Sequence, residues 1–292
     1  MKNFKSIFLF ILILFIVGCG STPNSKILSP KANFPVIIKN TKVKLSIPEY
    51  LQTISVGIDG ETVAGSGIIF TRKDSTGTND ITFIWTAGHV VADFLYNSKV
   101  MGLTNSTNFY FEIVQNFTKN GEEVVVETNI ADIVKYSDPE DEGGDDLAIL
   151  KVRDKFTLTT NSVVFDISKK LPKVGSLLYS VGAPLKSNDS FSTGVVSFVG
   201  RIINDLVFDQ TTCVVYEGSS GQGVFTTDGK CIGIATLMMA PSLNCIVPVR
   251  RMQKWAKQEK VEWALDPSIS IPSETELKNI KMEDSIKHDF FN

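Results

Sequence analysis

The chain has 292 residues, 43% of them hydrophobic, enough for one large domain or two small halves with real cores. Its 29 basic and 32 acidic residues leave a formal net charge of −3 with no long basic run, so nothing points to nucleic acid as a partner. With no CxxC pair and no cysteine–histidine cluster, a zinc site is not expected, nor is any other metal or cofactor.

Lys2 and Lys5 precede an apolar run from Ile7 to Val17. A short apolar run with a basic flank reads as a secretory signal, too short for a comfortable membrane span. Gly18 directly before Cys19 resembles a bacterial lipobox, which implies that Cys19 is lipidated and becomes the mature N-terminus. Ile16 stands where leucine is commoner in that motif. A plain secretory signal and an uncleaved anchor are the other readings. Each puts the domain outside the cytoplasm. The lipobox adds a bacterial cell envelope, with the protein anchored to a membrane through lipid and facing the periplasm or the exterior.

Residues 20–45 hold Ser, Thr, Pro, Asn and Lys with few apolar positions, a composition suited to a tether. From Leu45 onward, short runs rich in Val, Ile, Phe and Thr recur between Gly, Asn and Asp. They are Thr53 to Ile58, Gly67 to Thr71, Ile81 to Thr86, Phe109 to Val114, Glu123 to Thr128 and Leu147 to Val152. Leu177 to Val181, Gly194 to Val199, Thr211 to Tyr216, Gly223 to Thr226 and Cys231 to Thr236 follow. Many short strands with turn signals between them predict an all-β barrel or sandwich. Helical spacing is scarce until Val249, Met252, Trp255 and Ala256, which share one face of a late helix. Residues 266–292 are charged and broken by proline, and read as a tail or an added peripheral helix too short for another domain. Cys213, Cys231 and Cys245 are an odd set: one disulfide plus a buried thiol, or three buried thiols.

Three segments carry candidate chemistry. In "FIWTAGHVVADF" a strand ends in small residues at His89; the other histidine, His288, lies in the tail. In "GGDDLAILKV" Asp146 sits at the mouth of an apolar strand, with Asp145 as the alternative if the register differs by one. The surrounding "DPEDEGGDD" reads as a solvated acidic turn, and its spacing fits no EF-hand loop. In "EGSSGQGVF" a glycine-rich turn holds Ser219 and Ser220.

Thr86-Ala87-Gly88-His89-Val90-Val91, "DLAIL" and Gly218-Ser219-Ser220-Gly221 closely resemble, in that order, the histidine, aspartate and serine motifs of trypsin-like serine proteases of the chymotrypsin fold. "AGSGIIF", "GSLLYSVGAPLKSNDSFSTGVVSFVGR" and "DGKCIGIAT" resemble segments of bacterial HtrA/Deg-type proteases, so the resemblance covers about residues 50 to 260. It implies two six-stranded antiparallel β-barrels with a C-terminal helix, in a domain spanning 46–265. The halves would be roughly 46–155 and 156–265, after a signal at 1–19 and a linker at 20–45. It implies His89, Asp146 and Ser220 as a triad, and the backbone N–H groups of Gly218 and Ser220 as an oxyanion hole. Thr236 falls where a hydroxyl supports the aspartate. The edge Ala235 to Met238, including Leu237, would pair with extended protein or peptide substrates. Val214 falls near the base of the specificity pocket and Asn244 on one wall, so a small or medium apolar side chain is expected before the cleaved bond. Gln222 and Gly223 depart from the commoner glycine and proline. Ser219 replaces the acid that in trypsin binds a freed N-terminus, so no activation of that kind is expected. A degenerate protease fold serving as a peptide- or protein-binding module is the alternative, and a solute-binding lipoprotein would need β/α alternation that the chain lacks.

Overall fold

The computed structural model describes residues 34–38, 41–60, 63–74, 76–100, 111–119, 122–153, 161–186 and 190–280. Cys19 and its apolar run lie outside these residues, as does His288. The architecture is mostly β.

Six strands close into an antiparallel barrel: β3 (Ser55–Gly60), β4 (Val63–Lys73), β5 (Asp80–Thr86), β6 (Phe111–Lys119), β7 (Glu122–Ser137) and β8 (Leu147–Val152), in the order β3-β4-β5-β8-β7-β6. Every strand contributes to one apolar cluster that includes Val56, Ile58, Ile69, Ile84, Phe111, Ile113, Ala131, Ala148 and Leu150. This is the interior of the barrel. Because strand side chains alternate, Ile68, Phe70, Phe83, Trp85, Leu147 and Ile149 face the other way, and they too are buried, in a second cluster. The central strands therefore read as continuous apolar runs, having cover on both faces. Helix α2 (Gly88–Val100) follows β5 and places Val90, Val91 and Phe94 against the barrel interior.

The other half is a seven-stranded sheet built from β9 (Val164–Phe165), β10 (Leu177–Gly182), β11 (Ser190–Ile203), β12 (Leu206–Thr211), β13 (Gly223–Thr226), β14 (Lys230–Ala240) and β15 (Leu243–Pro248). Its order is β13-β10-β11-β12-β15-β14-β9, with an additional β13–β14 pairing. The run Thr211 to Tyr216 is not a strand as the sequence suggested: β12 ends at Thr211, and the next residues form a loop. Cys213 and Val215 are buried there while Val214 is 58% exposed, so an irregular segment imitates strand alternation.

Within the stretch read as a tether, β1 (Phe34–Ile38) and β2 (Thr41–Leu45) form an antiparallel pair. Helix α1 (Ile47–Gln52) follows, opened by a capping box in which Ser46 and Glu49 satisfy each other's N–H groups. At the other end, α3 (Val249–Gln258) buries Val249, Met252, Trp255 and Ala256, the face expected from sequence. Trp263 continues that core beyond α3, with rings of Phe70 and Phe83 at 6.2 and 4.8 Å. Arg72 Nε donates to Trp263 O and Trp85 Nε1 to Ala264 O, both at 3.0 Å, so this turn is held by the barrel. Removing a buried tryptophan such as Trp85 would cost on the order of 3–5 kcal/mol. Ile271 and, on α4 (Glu274–Asn279), Leu277 are buried as well, so residues past 265 pack on the body. Cys213, Cys231 and Cys245 are all free and buried.

Candidate active site

His89 stands in the first turn of α2, where β5 gives way to the helix. Asp146 immediately precedes β8 and holds a left-handed backbone at φ 55°. Strands β5 and β8 are paired, Thr86 opposite Ala148, which brings the two residues together. Asp146 Oδ1 accepts from the His89 backbone N–H at 2.9 Å and lies 2.9 Å from His89 Nδ1, with Oδ2 at 3.2 Å. A carboxylate only accepts, so the Nδ1 proton faces Asp146 and Nε2 is left as an acceptor. Nε2 is 2.7 Å from Ser220 Oγ. The structure thus brings the three sequence-predicted side chains into direct contact, with the hydroxyl proton directed at the ring.

Asp145 faces elsewhere. Arg251 of α3 donates through Nε to Asp145 Oδ1 at 2.8 Å and through Nη2 to Asp145 O, with its guanidinium 4.4 Å over the Phe208 ring. Arg251 is itself buried, so it braces the backbone just before Asp146. Sequence reasoning did not single out Arg251, which is 106 residues from its partner and carries no local signature.

The His89 pKa is raised above the ordinary 6.5: burial pulls it down, but the hydrogen bond and charge of Asp146, with smaller help from Asp93 and Asp138, outweigh that. Any reaction needing the neutral ring should therefore show an acid limb in kcat/KM with its midpoint above pH 6.5, measurable as a pH profile on the free enzyme. A raised pKa stabilises the fold at pH values below the ordinary one, and that contribution disappears as pH rises through the folded-state value.

Gly218 has φ 85°, and Ser219 N–H donates to Tyr216 O at 2.8 Å, closing a turn with the glycine at its third position. A side chain there would be strained, and its Cβ would sit 2.8 Å from Ala183 O. Among the described residues no hydrogen bond uses the N–H of Gly218 or of Ser220. Both donors remain available beside the Ser220 hydroxyl. Ser219 is fully buried, and its Oγ accepts from Tyr216 N–H at 3.1 Å.

The remaining candidates divide. Thr236 lines the site, but its hydroxyl is buried with no hydrogen-bond partner, so it does not support Asp146 in this arrangement. The His89 backbone N–H occupies Asp146 Oδ1 instead. Pairing on that side of β14 runs through Ala235, whose C=O accepts from Gly221 N–H at 2.7 Å and whose N–H donates to Gln222 O at 2.9 Å, and Leu237 and Met238 beyond it are exposed, leaving the edge open on one side from there. Val214 presents its side chain to solvent while Gln222 Nε2 holds its carbonyl at 2.7 Å. Asn244 is buried, donates to Cys213 O at 2.8 Å, and keeps an unpartnered Oδ1. A cavity of about 460 Å³ adjoins His89 and Asp146, with Ile203, Leu206, Phe208 and Leu237 in its lining and Asp141 and Glu142 among its polar walls.

Comparison with known proteins shows the family and the fold. Residues 65–234 match the trypsin-like peptidase domain. The chain is 29% identical over 232 residues to the putative protease Do-like 14 of Arabidopsis thaliana, covering 76% of this chain and 46% of that protein. It is 27% identical over 153 residues to the serine endoprotease DegS of Haemophilus influenzae, covering 51% and 44%. It therefore spans less than half the length of these curated relatives. Among solved structures, Deg5 superposes with a TM-score of 0.51 at 22% identity, covering 71% of this chain and 89% of that one.

Proposed function

This chain belongs to the trypsin-like peptidase domain family, and on that premise we propose that it is a serine endopeptidase using His89, Asp146 and Ser220. The observation that carries the reading is the unbroken contact chain from Asp146 through the His89 ring to Ser220 Oγ. In the proposed reaction Ser220 Oγ attacks the peptide carbonyl while His89 Nε2 takes its proton. Asp146 holds the tautomer and stabilises the cationic ring. The developing oxyanion is received by the N–H groups of Gly218 and Ser220. His89 then returns the proton to the leaving amine, and water, activated by the same ring, releases the acyl group.

The substrate would lie along β14 over the stretch Ala235 to Met238, adding a strand through the main-chain groups beyond Ala235, whose own N–H and C=O are held by Gln222 and Gly221. Val214 and Asn244, the residues read from sequence as the base and wall of the specificity pocket, carry no carboxylate, which favours a small or medium apolar side chain before the cleaved bond. Hydrolysis of a peptide library by the full chain tests both parts. Cleavage after residues such as Val or Ala is expected. Dominant cutting after Arg or Lys would reject the pocket assignment, and no cutting of any peptide would count against the peptidase reading itself.

The proposal extends to architecture and place. The β13–β14 pairing is consistent with the second half closing as another six-stranded barrel. Lipidation at Cys19 would tether the protease to a bacterial envelope membrane, on the periplasmic or outer side. Cys19→Ser should then move the protein from the membrane fraction to the soluble fraction; equal membrane association of both forms would count against the anchor.

A further inference from the structure

An oxyanion hole works only if its N–H groups already point into it when substrate arrives. A peptide plane is rigid and carries C=O and N–H on opposite sides, so a donor's direction is set by whatever holds the carbonyl of its own plane. For the Gly218 N–H that carbonyl is Glu217 O, which accepts from Leu185 N–H at 2.8 Å. For the Ser220 N–H it is Ser219 O, which accepts from Gln222 N–H at 2.9 Å. The plane between them is pinned at both ends. Ser219 N–H donates to Tyr216 O, and Gly218 O accepts from the hydroxyl of Ser66 at 2.7 Å.

Ser66 lies on β4, fully buried, and 152 residues from Gly218 in sequence. Its hydroxyl also accepts from Ala183 N–H at 2.8 Å, two residues before the Leu185 that holds Glu217. Its backbone N–H donates to Ser220 O at 2.8 Å. One residue thus ties three points to the barrel: its side chain holds the middle of the nucleophile turn and the root of the loop behind the first donor, and its backbone N–H holds the carbonyl of the nucleophile. Gly182 makes room for this junction: a Cβ there would be 2.9 Å from Ser66 Oγ and 2.5 Å from Gln222 Oε1. A hydroxyl suits the position because it donates and accepts at once. Alanine would leave Gly218 O and Ala183 N–H without their partner in the interior.

We propose that Ser66 is the positioning residue of the oxyanion hole, aligning the Gly218 and Ser220 donors through neutral hydrogen bonds that exist in the uncut chain. This role rests on the peptidase reading given above. Ser66 touches no reacting atom; it acts through the turn. It also answers what fixes that turn when Ser219 stands where an acid would make an ion pair.

The test uses the full chain with Ser66→Ala and Ser66→Cys, the latter keeping the side-chain shape with a somewhat larger and more weakly hydrogen-bonding group. Three quantities are measured: kcat and KM on a peptide substrate, affinity for a peptide boronic acid whose tetrahedral adduct with serine fills the oxyanion hole, and Tm. For Ser66→Ala, kcat should fall about 10- to 100-fold and boronate affinity by a comparable factor, with KM within about threefold. Ser66→Cys should fall between alanine and the parent. Lower Tm with unchanged kcat and boronate affinity overturns the proposal, and if the alanine variant does not fold, parent-like kcat and boronate affinity in Ser66→Cys overturn it alone. A parent chain that neither hydrolyses peptides nor binds the boronate overturns the peptidase reading, and the role of Ser66 with it.

Discussion

Ser220→Ala is expected to lower kcat by about 10⁶-fold, the scale seen when a triad serine is removed. Truncating this side chain removes the nucleophile and little else. Its one side-chain partner is His89 Nε2, and the imidazole remains 28% exposed, so water replaces the lost hydroxyl. No polar group is stranded in the interior, and Tm should change little. KM should stay within a few-fold, because the open β14 edge that is proposed to bind substrate is untouched. Steady-state kinetics alongside thermal unfolding separates these outcomes: a variant that is folded but retains more than a trace of activity would point to a different nucleophile.

Asp146→Asn is expected to cost about 10⁴-fold in kcat at neutral pH, with the fold intact. Asparagine tolerates the left-handed backbone that Asp146 adopts at φ 55°, so the substitution does not add strain. Its amide oxygen can still accept the His89 backbone N–H. The damage is electronic. Without a carboxylate at Nδ1, the ring loses the charge that favours its cationic form and the acceptor that fixes its proton away from Ser220. The acid limb of the pH profile should move to lower pH than in the parent, because Asp146 is the main influence raising the His89 pKa against burial. Asp145 cannot take over, since Arg251 holds both its carboxylate and its carbonyl. An unshifted limb in Asp146→Asn would mean that another group governs the ring.

The catalytic candidates were legible because each sits in a short local pattern: small residues before His89, an apolar strand directly after Asp146, glycines on both sides of the Ser219–Ser220 pair. The central barrel strands were legible for a similar reason, since burial on both faces writes itself as runs such as Ile68-Ile69-Phe70 and Phe83-Ile84-Trp85. What escaped depends on partners far away in sequence. Ser66 finds Ala183 and Gly218 at separations of 117 and 152 residues, and nothing in "AGSGIIF" marks its hydroxyl as a bridge. Strand β15 is absent from the sequence runs; it is short and ends on a proline, a residue seldom found inside a sheet. Beyond residue 265, Ile271 stands between serine and proline and Leu277 among charged residues, and only the folded body reveals the surface that each one covers. Thr236 differs: its position in the pattern suggested a hydroxyl supporting Asp146, and that hydroxyl is buried without a hydrogen-bond partner.

The most direct measurement is reaction of the full chain with a fluorophosphonate, followed by mapping of the modified residue by mass spectrometry. A hydroxyl that surrenders its proton to His89 beside two vacant backbone donors should attack phosphorus as it would a carbonyl. A single adduct on Ser220 is expected, absent in Ser220→Ala and in acid-quenched unfolded protein. A folded chain that takes up no label at Ser220, or carries it equally on Ser219 and unrelated serines, would contradict it.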